Sequence, residues 1–167
     1  MATTDLLIAE LDVEANNTRR TLERVPTGKD DFVPHPKSMP LGRLAPHVAQ
    51  LGGFGLMILT TPSLDFATAN FTPLKLESAA QLVRVFDEGV GKVRAALESM
   101  RDDQWNEPWT LAANGKPIFQ GTRFLAYREM FLNHVVHHRA QLGVYLRLLG
   151  AAVPATYGPS ADETLGF

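Results

Sequence analysis

The sequence predicts an all-α protein built as a four-helix bundle, and three observations favour this fold class. Apolar residues recur at intervals of three, four and seven in four long stretches, as they do on amphipathic helices. Each stretch is bounded by proline, by glycine or by a capping side chain. The 167 residues are 45% hydrophobic and 20% charged, which is ordinary for a globular domain. We therefore expect a single domain over residues 1–167, with residues 151–167 packing on the bundle as a tail.

The first two predicted helices span residues 4–24 and 40–60. In both, apolar residues recur at helical intervals and polar residues lie between them. Thr4 is the expected N-cap of the first helix, and Ser38 is the expected N-cap of the second. A hydroxyl at this position can accept a hydrogen bond from an amide of the first turn, which otherwise has no partner.

Two features of the second helix need an interpretation of their own. Pro46 has no amide hydrogen to donate to the carbonyl of Gly42. Either the helix begins near Pro40 and its first turns bend at this point, or regular helix begins only near Ala45. The glycine-rich segment 52–55 lies inside a helical pattern and is not followed by the Lys-Ser or Lys-Thr of a phosphate-binding loop. Close approach of two helices is therefore the favoured explanation for these glycines.

A third helix is predicted over residues 77–100, although Gly89 and Gly91 weaken its pattern. Between this helix and the last one, two short apolar runs flank Asn114-Gly115. This dipeptide is the strongest short-range signal for a hairpin turn, because both residues tolerate a positive φ. We therefore expect a short β-hairpin over residues 109–119.

The last predicted helix, residues 122–149, contains three of the five histidines and ends before Gly150, a typical C-terminal stop. His134 and His138 are four residues apart, so they share one face of the helix. A buried imidazole needs a partner for each ring nitrogen, and a divalent metal ion would supply one for each histidine. Apolar residues lie on or beside the same face: Tyr127, Met130, Phe131, Leu142 and Tyr145.

Two histidines at this spacing, together with a third on another helix, are a common way to build a three-histidine metal site. Spacing alone does not decide which residue is the third. His47 is favoured over His35, because His47 lies on an apolar helix face and His35 follows a proline in a polar loop. His137 is turned by about 100° from His138, so we expect it either to contact a neighbouring side chain or to support a ligand residue, rather than to bind the metal itself.

Two further polar residues of the last helix are candidates to support this site. Gln141 lies seven residues beyond His134, so it returns to the same face and could orient a ligand or a bound water molecule. Tyr145 is either a hydrogen-bond donor facing the site or a core residue. Arg139 is turned away, and we expect it to pair with an acidic residue such as Glu129 on the surface.

Composition and charge exclude several function classes. The formal net charge is −2, and the sequence has no basic block, which argues against a nucleic-acid partner. The chain has no cysteine, so disulfides, thiolate ligands and a cysteine nucleophile are excluded. No run of about 20 apolar residues suggests a membrane span, and the first residues do not resemble a signal peptide. The expected location is therefore the cytoplasm.

The chain resembles the DinB/YfiT-like superfamily, small helical-bundle proteins regarded as metal-dependent enzymes. The resemblance covers nearly the whole chain and rests on three segments. Residues 34–49 match a loop and helix that lead to a ligand histidine in the family. Residues 134–141 match its His-x-x-x-His-Arg-x-Gln pattern, and residues 153–163 match its C-terminal segment.

The resemblance implies a bundle with long crossover connections, three metal ligands (His47, His134 and His138) and a homodimer. Zinc and nickel occur in such proteins, and three neutral imidazoles without a carboxylate suit either ion. Members with an assigned activity include transferases and isomerases that use a low-molecular-weight thiol as co-substrate. The sequence itself does not identify a thiol-binding pocket.

Three hypotheses for the function follow. In the first, the protein is a metal-dependent enzyme that activates a thiol or water toward a small-molecule substrate, as a thiol S-transferase or a hydrolase would. In the second, the metal stabilises a non-catalytic module for binding or dimerisation. In the third, the bundle holds no metal, and the histidines bond to each other and to nearby polar groups.

Overall fold

The structure is a computed structural model that describes residues 2–164. Its long helices are α1 (Thr3–Leu22), α2 (Leu41–Thr60), α3 (Ala79–Glu98) and a last helix, which we call α4. Helix α4 is continuous and comprises Arg123–Ala126, a π-helical segment Tyr127–Leu132 and Asn133–Leu148. A 3₁₀ helix spans Asp102–Asn106. The predicted fold class, a four-helix bundle with a hairpin before the last helix, is confirmed.

A small three-stranded sheet combines the predicted hairpin, which lies between α3 and α4 in the chain, with one strand from the connection between α2 and α3 that was not predicted. Strands β2 (Pro108–Ala113) and β3 (Lys116–Thr122) form the expected antiparallel hairpin. Strand β1 (Ser63–Asp65) pairs in parallel with β2. Three residues are too few to show a period in the sequence. The carboxylate of Asp65 accepts hydrogen bonds from the turn amides of Asn114 and Gly115, which holds β1 to the hairpin.

Both predicted N-caps are wrong. Helix α1 is capped at Ala2, whose side chain cannot accept a hydrogen bond, and the carboxylate of Asp102 accepts from the amides of Thr3 and Thr4 instead. The Thr4 hydroxyl donates to Asp102 and accepts from the indole of Trp105. Helix α2 begins after Pro40, which leaves Ser38 outside it. A cap supplied by a distant residue leaves no local signal in the sequence.

The glycines of α2 confirm the interpretation of close helix approach. A Cβ placed on Gly52 would lie 2.7 Å from the backbone carbon of Gly89 on α3, and a Cβ on Gly55 would meet the ring of Phe131 on α4. Gly89 weakens the helical pattern of α3, yet it makes this contact possible. Pro46 lies inside α2, so the first alternative, a helix that begins near Pro40, is the observed one.

The core has two hydrophobic clusters that share the four long helices. The first contains the second half of α2 and the first part of α4, together with the hairpin and the 3₁₀ helix. The second contains the first half of α2 and the last turns of α4. The clusters meet between Ala49 and Leu51 on α2 and between Val135 and Leu142 on α4, and we call this boundary the waist of the bundle. Within residues 2–164, no helix is long and apolar enough to cross a membrane.

The C-terminal tail contacts the bundle through ion pairs. Glu163 pairs with Arg20 and Arg24 of α1, and Asp162 pairs with Arg147 of α4. The two acidic residues also accept hydrogen bonds from backbone amides of the tail itself, at Val153 and Ala155. The described part of the tail is therefore held against α1 and α4.

Candidate metal centre

Three histidines converge at the waist of the bundle. His47 lies on α2, and His134 and His138 lie one turn apart on α4. Each histidine contributes one ring nitrogen to a group of three, and these nitrogens all lie within 4.8 Å of one another. Nε2 of His47 and Nε2 of His134 are 3.3 Å apart. All three side chains are partly buried, so the cluster is next to the core and still reachable from solvent.

The donor set fits a divalent metal ion. Ligand nitrogens at about 2.0–2.1 Å from a tetrahedral zinc ion lie roughly 3.3–3.4 Å from each other. The 3.3 Å separation of the His47 and His134 nitrogens has this value. The same two nitrogens could also share a hydrogen bond in a protein without metal. Three imidazoles could therefore hold a divalent ion.

Neighbouring oxygens fix the orientation of two of the rings. Nδ1 of His134 lies 3.2 Å from the carbonyl oxygen of Met130, and Nδ1 of His138 lies 2.7 Å from Oε1 of Gln141. Both oxygens can only accept, so each Nδ1 carries the proton and donates it. In the neutral ring Nε2 then keeps its lone pair, which is the form that binds a metal.

The environment keeps the three imidazoles neutral. Burial, with smaller contributions from the other two histidines and Arg43, lowers the pKa of His47 from 6.5 to about 4. Burial also lowers the pKa values of His134 and His138, against opposing hydrogen bonds to Met130 and Gln141. Metal ligation requires deprotonated imidazole, and the cluster has this form at neutral pH.

A π-helical segment directly precedes the two histidines of α4. Residues Tyr127–Leu132 form it, and the amide of Asn133 donates to the carbonyl of Arg128, five residues earlier. Such segments occur often at functional sites because the wider turn changes the direction of the side chains that follow. We found no signal for it in the sequence, where the apolar stripe reads as one regular helix.

The two candidate supporting residues differ in position. Gln141 contacts His138, as described above, and so lies where it could orient a ligand. Tyr145 is buried, its hydroxyl donates to the carbonyl of Met39, and its ring packs edge-on against Phe32. Tyr145 is therefore a core residue, and its hydroxyl is not directed at the histidine cluster.

The other two histidines lie outside the cluster. His35 is exposed in the loop before α2, and its Nδ1 accepts a hydrogen bond from the amide of Lys37. His137 is exposed, and its ring lies 4.8 Å from that of His138. Of the two residues considered for the third position, the geometry brings His47 to the pair on α4 and leaves His35 away from it.

The expected surface pair of Arg139 with Glu129 is wrong. Arg139 is buried, and its guanidinium binds the carboxylate of Glu14 on α1 and the hydroxyl of Tyr157 in the tail. An arginine inside an otherwise regular helix is normally assigned to the solvent face. Its partner is 125 residues away in the chain, so sequence spacing could not reveal it.

A family model described as "DinB family" matches residues 1–164. No curated protein matches the chain. Among solved structures, a DinB-like protein from Bacillus subtilis has a TM-score of 0.67 and 18% identity, and the match covers 90% of this chain and 96% of that one. A DinB-like protein from Bacillus cereus ATCC 10987 has a TM-score of 0.63 and 20% identity, with 87% and 92% covered. At these identities the two structures show the fold alone.

Proposed function

Since the chain belongs to the DinB family, we propose that it is a metal-dependent enzyme with a three-histidine site. His47, His134 and His138 would hold one zinc or nickel ion. The observation that carries the proposal is the convergence of three neutral imidazoles from two helices within 4.8 Å of one another, with the His47 and His134 nitrogens at the spacing of tetrahedral ligands. Among the described residues, no fourth histidine or carboxylate joins the group, which leaves a coordination position for substrate or water.

The reaction proposed is a thiol S-transfer or a hydrolysis on a small-molecule substrate. A divalent ion bound by three histidines acts as a Lewis acid and lowers the pKa of a coordinated thiol or water. The chain has no cysteine, so in a transferase the thiol would come from a low-molecular-weight co-substrate. The roles of the protein's own residues are to hold the ligand nitrogens and, through Met130 and Gln141, to orient two of the rings.

Two measurements test the proposal. Elemental mass spectrometry of untagged protein should find about one zinc or nickel ion per chain, and the His134→Ala/His138→Ala variant should lack it. The metal-loaded protein should consume a free thiol in the presence of an electrophile, or hydrolyse an ester or amide. His138→Ala should abolish this turnover, and His35→Ala, which changes a histidine outside the cluster, should retain it. Turnover that survives His138→Ala would reject the mechanism.

A non-catalytic, metal-stabilised module is the alternative, and one observation favours it. The histidines join α2 to α4 between the two core clusters, where a bound ion would tie the halves of the bundle together. This alternative predicts a large fall in melting temperature on chelation and no turnover with any thiol. The homodimer and the cytoplasmic location stay predictions, and sedimentation velocity would test the first of them.

A further inference from the structure

The tip of the β2–β3 hairpin contains the only asparagine in the sequence that is followed by glycine. Asn114 and Gly115 are exposed, and they form the two-residue turn of the hairpin. A Cβ placed on Gly115 would meet nothing within 4 Å, so the space beside its backbone nitrogen is open. A nitrogen in this position can attack the side-chain amide of the asparagine that precedes it.

This attack removes the amide group of the asparagine. The backbone nitrogen of Gly115 loses its proton to hydroxide and forms a bond to Cγ of Asn114, and the side-chain nitrogen leaves as ammonia. The product is a five-membered succinimide ring. Water then opens the ring at one of its two carbonyl groups, which gives either aspartate or isoaspartate. Water and hydroxide are the only reagents, and no atom is oxidised or reduced.

The carboxylate of Asp65 in β1 holds both amides of the turn, and we call this arrangement the Asp65 clamp (Asp65, Asn114 and Gly115). Oδ1 of Asp65 lies 3.1 Å from the nitrogen of Asn114, and Oδ2 lies 2.7 Å from the nitrogen of Gly115. Oδ1 also accepts from the amide of Ala67 at 2.8 Å. These donors lower the pKa of the carboxyl. The carboxylate is therefore a good acceptor but too weak a base to remove the proton of an amide.

The clamp opposes closure of the succinimide ring in two ways. First, the Gly115 nitrogen must lose the proton that it donates to Asp65, and the new negative charge would lie beside the carboxylate. Second, the φ values of 52° and 74° are those of a type I′ turn, in which ψ of the first central residue is about +30°. Cβ of Asn114 and the nitrogen of Gly115 then lie nearly opposite each other about the Cα–C bond. Cγ is therefore too far from the nitrogen to form the bond.

We propose that Asn114 is the deamidation site of this protein and that the Asp65 clamp sets the rate of the reaction. The ring closes only when β1 separates from the hairpin and the turn changes its backbone conformation. Isoaspartate adds one carbon atom to the backbone of the turn, so the two amides no longer match the carboxylate. A modified chain therefore cannot form the clamp again. The inference goes beyond the proposed function and does not depend on it.

Peptide mapping of the full chain, after incubation at mildly alkaline pH below its melting temperature, tests the site. Trypsin does not cleave the Lys116-Pro117 bond, so residues 102–123 form one peptide that contains the turn. We expect deamidation of this peptide to be slower in the native protein than in guanidinium chloride. The difference should be at least about tenfold, the factor that corresponds to one hydrogen bond to a charged group.

Two substitutions test the role of the carboxylate. Asp65→Ala removes both acceptors, and Asp65→Asn keeps the shape of the side chain but removes its charge. Each should raise the native rate of deamidation at least about tenfold. Asp12→Asn removes an exposed carboxylate that pairs with Arg94 on the far side of α1. It is the matched control and should leave the rate unchanged.

Amide hydrogen exchange at Gly115, followed by NMR, separates the clamp from global stability. This amide should be protected in the wild type and should exchange rapidly in both Asp65 variants, while amides in the long helices keep their protection. Circular dichroism melting shows whether each variant is folded at the temperature of incubation. If a variant unfolds there, protection of Gly115 in the wild type still decides, because an unprotected amide would overturn the clamp.

Three other outcomes would overturn the proposal. If the native wild type deamidates as fast as the chain in guanidinium chloride, or if both folded Asp65 variants react at the wild-type rate, the clamp does not control the reaction. If another asparagine reacts before Asn114, the site is wrong. Each of these results leaves the metal content and the turnover of the histidine centre untouched, so the proposed function is tested separately.

Discussion

Arg139 and Glu14 form a buried ion pair that joins α4 to α1. Nη1 of Arg139 lies 2.6 Å from Oε2 of Glu14, and the two side chains are 4% and 11% exposed. The same guanidinium donates to the backbone carbonyl of Glu14 and to the hydroxyl of Thr18. The Tyr157 hydroxyl donates to the carboxylate from the tail. Arg139 directly follows His138 in the chain. The ion pair with Glu14 therefore also fixes how α4 is rotated at the histidine centre.

Arg139→Met should therefore destabilise the protein strongly. Removing one partner leaves the Glu14 carboxylate buried without its counter-charge, which costs about 3–5 kcal/mol in comparable cases. Urea denaturation of the variant should show a loss in the free energy of unfolding of this size. Replacing both charges, as Arg139→Met/Glu14→Leu, should cost less than the sum of the two single changes. Additive costs would contradict the coupling of these residues.

Gly52 and Gly53 offer a matched pair of alanine substitutions. Gly52→Ala should destabilise the protein by about 1–3 kcal/mol, because the added Cβ would lie 2.7 Å from the backbone of Gly89 and would force α2 and α3 apart. Gly53 has open space around its Cβ position. Gly53→Ala should therefore stabilise the helix by about 0.5–1 kcal/mol. Thermal melting of both variants checks the difference in sign, and equal effects would refute the close approach.

The long elements could be predicted from the sequence because their apolar period is local. The hairpin could be predicted from the dipeptide Asn114-Gly115. Both residues have the positive φ that a two-residue hairpin turn requires. What could not be predicted depends on contacts between distant residues. The cap of α1 comes from Asp102, strand β1 is too short to show a period, and the partner of Arg139 lies on another helix. The apolar helix face favoured His47 over His35 as the third residue of the cluster, but only the fold brings it next to His134 and His138.

The cap of α1 by Asp102 should make stability depend on pH in acid. Hydrogen bonds from the amides of Thr3 and Thr4 lower the pKa of this carboxyl in the folded protein. A carboxyl whose pKa is lower in the folded protein contributes stability that is present above its unfolded pKa, about 3.9. This stability is lost as the pH falls through the lower folded pKa.

The Asp102→Asn variant should have a lower melting temperature than the wild type at pH 7. Its melting temperature should also fall less steeply than that of the wild type between about pH 5 and pH 2. Asp31→Asn, in the exposed loop before α2, is the control, and an identical pH profile for the two variants would contradict the role of the cap.

Gln141 should tune metal affinity without being a ligand. Its Oε1 accepts from Nδ1 of His138 at 2.7 Å and so keeps the lone pair on Nε2. Loss of such a partner typically weakens metal binding by about 10–100-fold. Gln141→Leu should therefore raise the zinc dissociation constant at least tenfold in competition with a chromophoric chelator, with one site per chain retained. Gln141→Glu keeps an acceptor at this position and should restore most of the affinity. If the Gln141→Leu variant binds zinc as tightly as the wild type does, the ring of His138 is oriented by its packing alone.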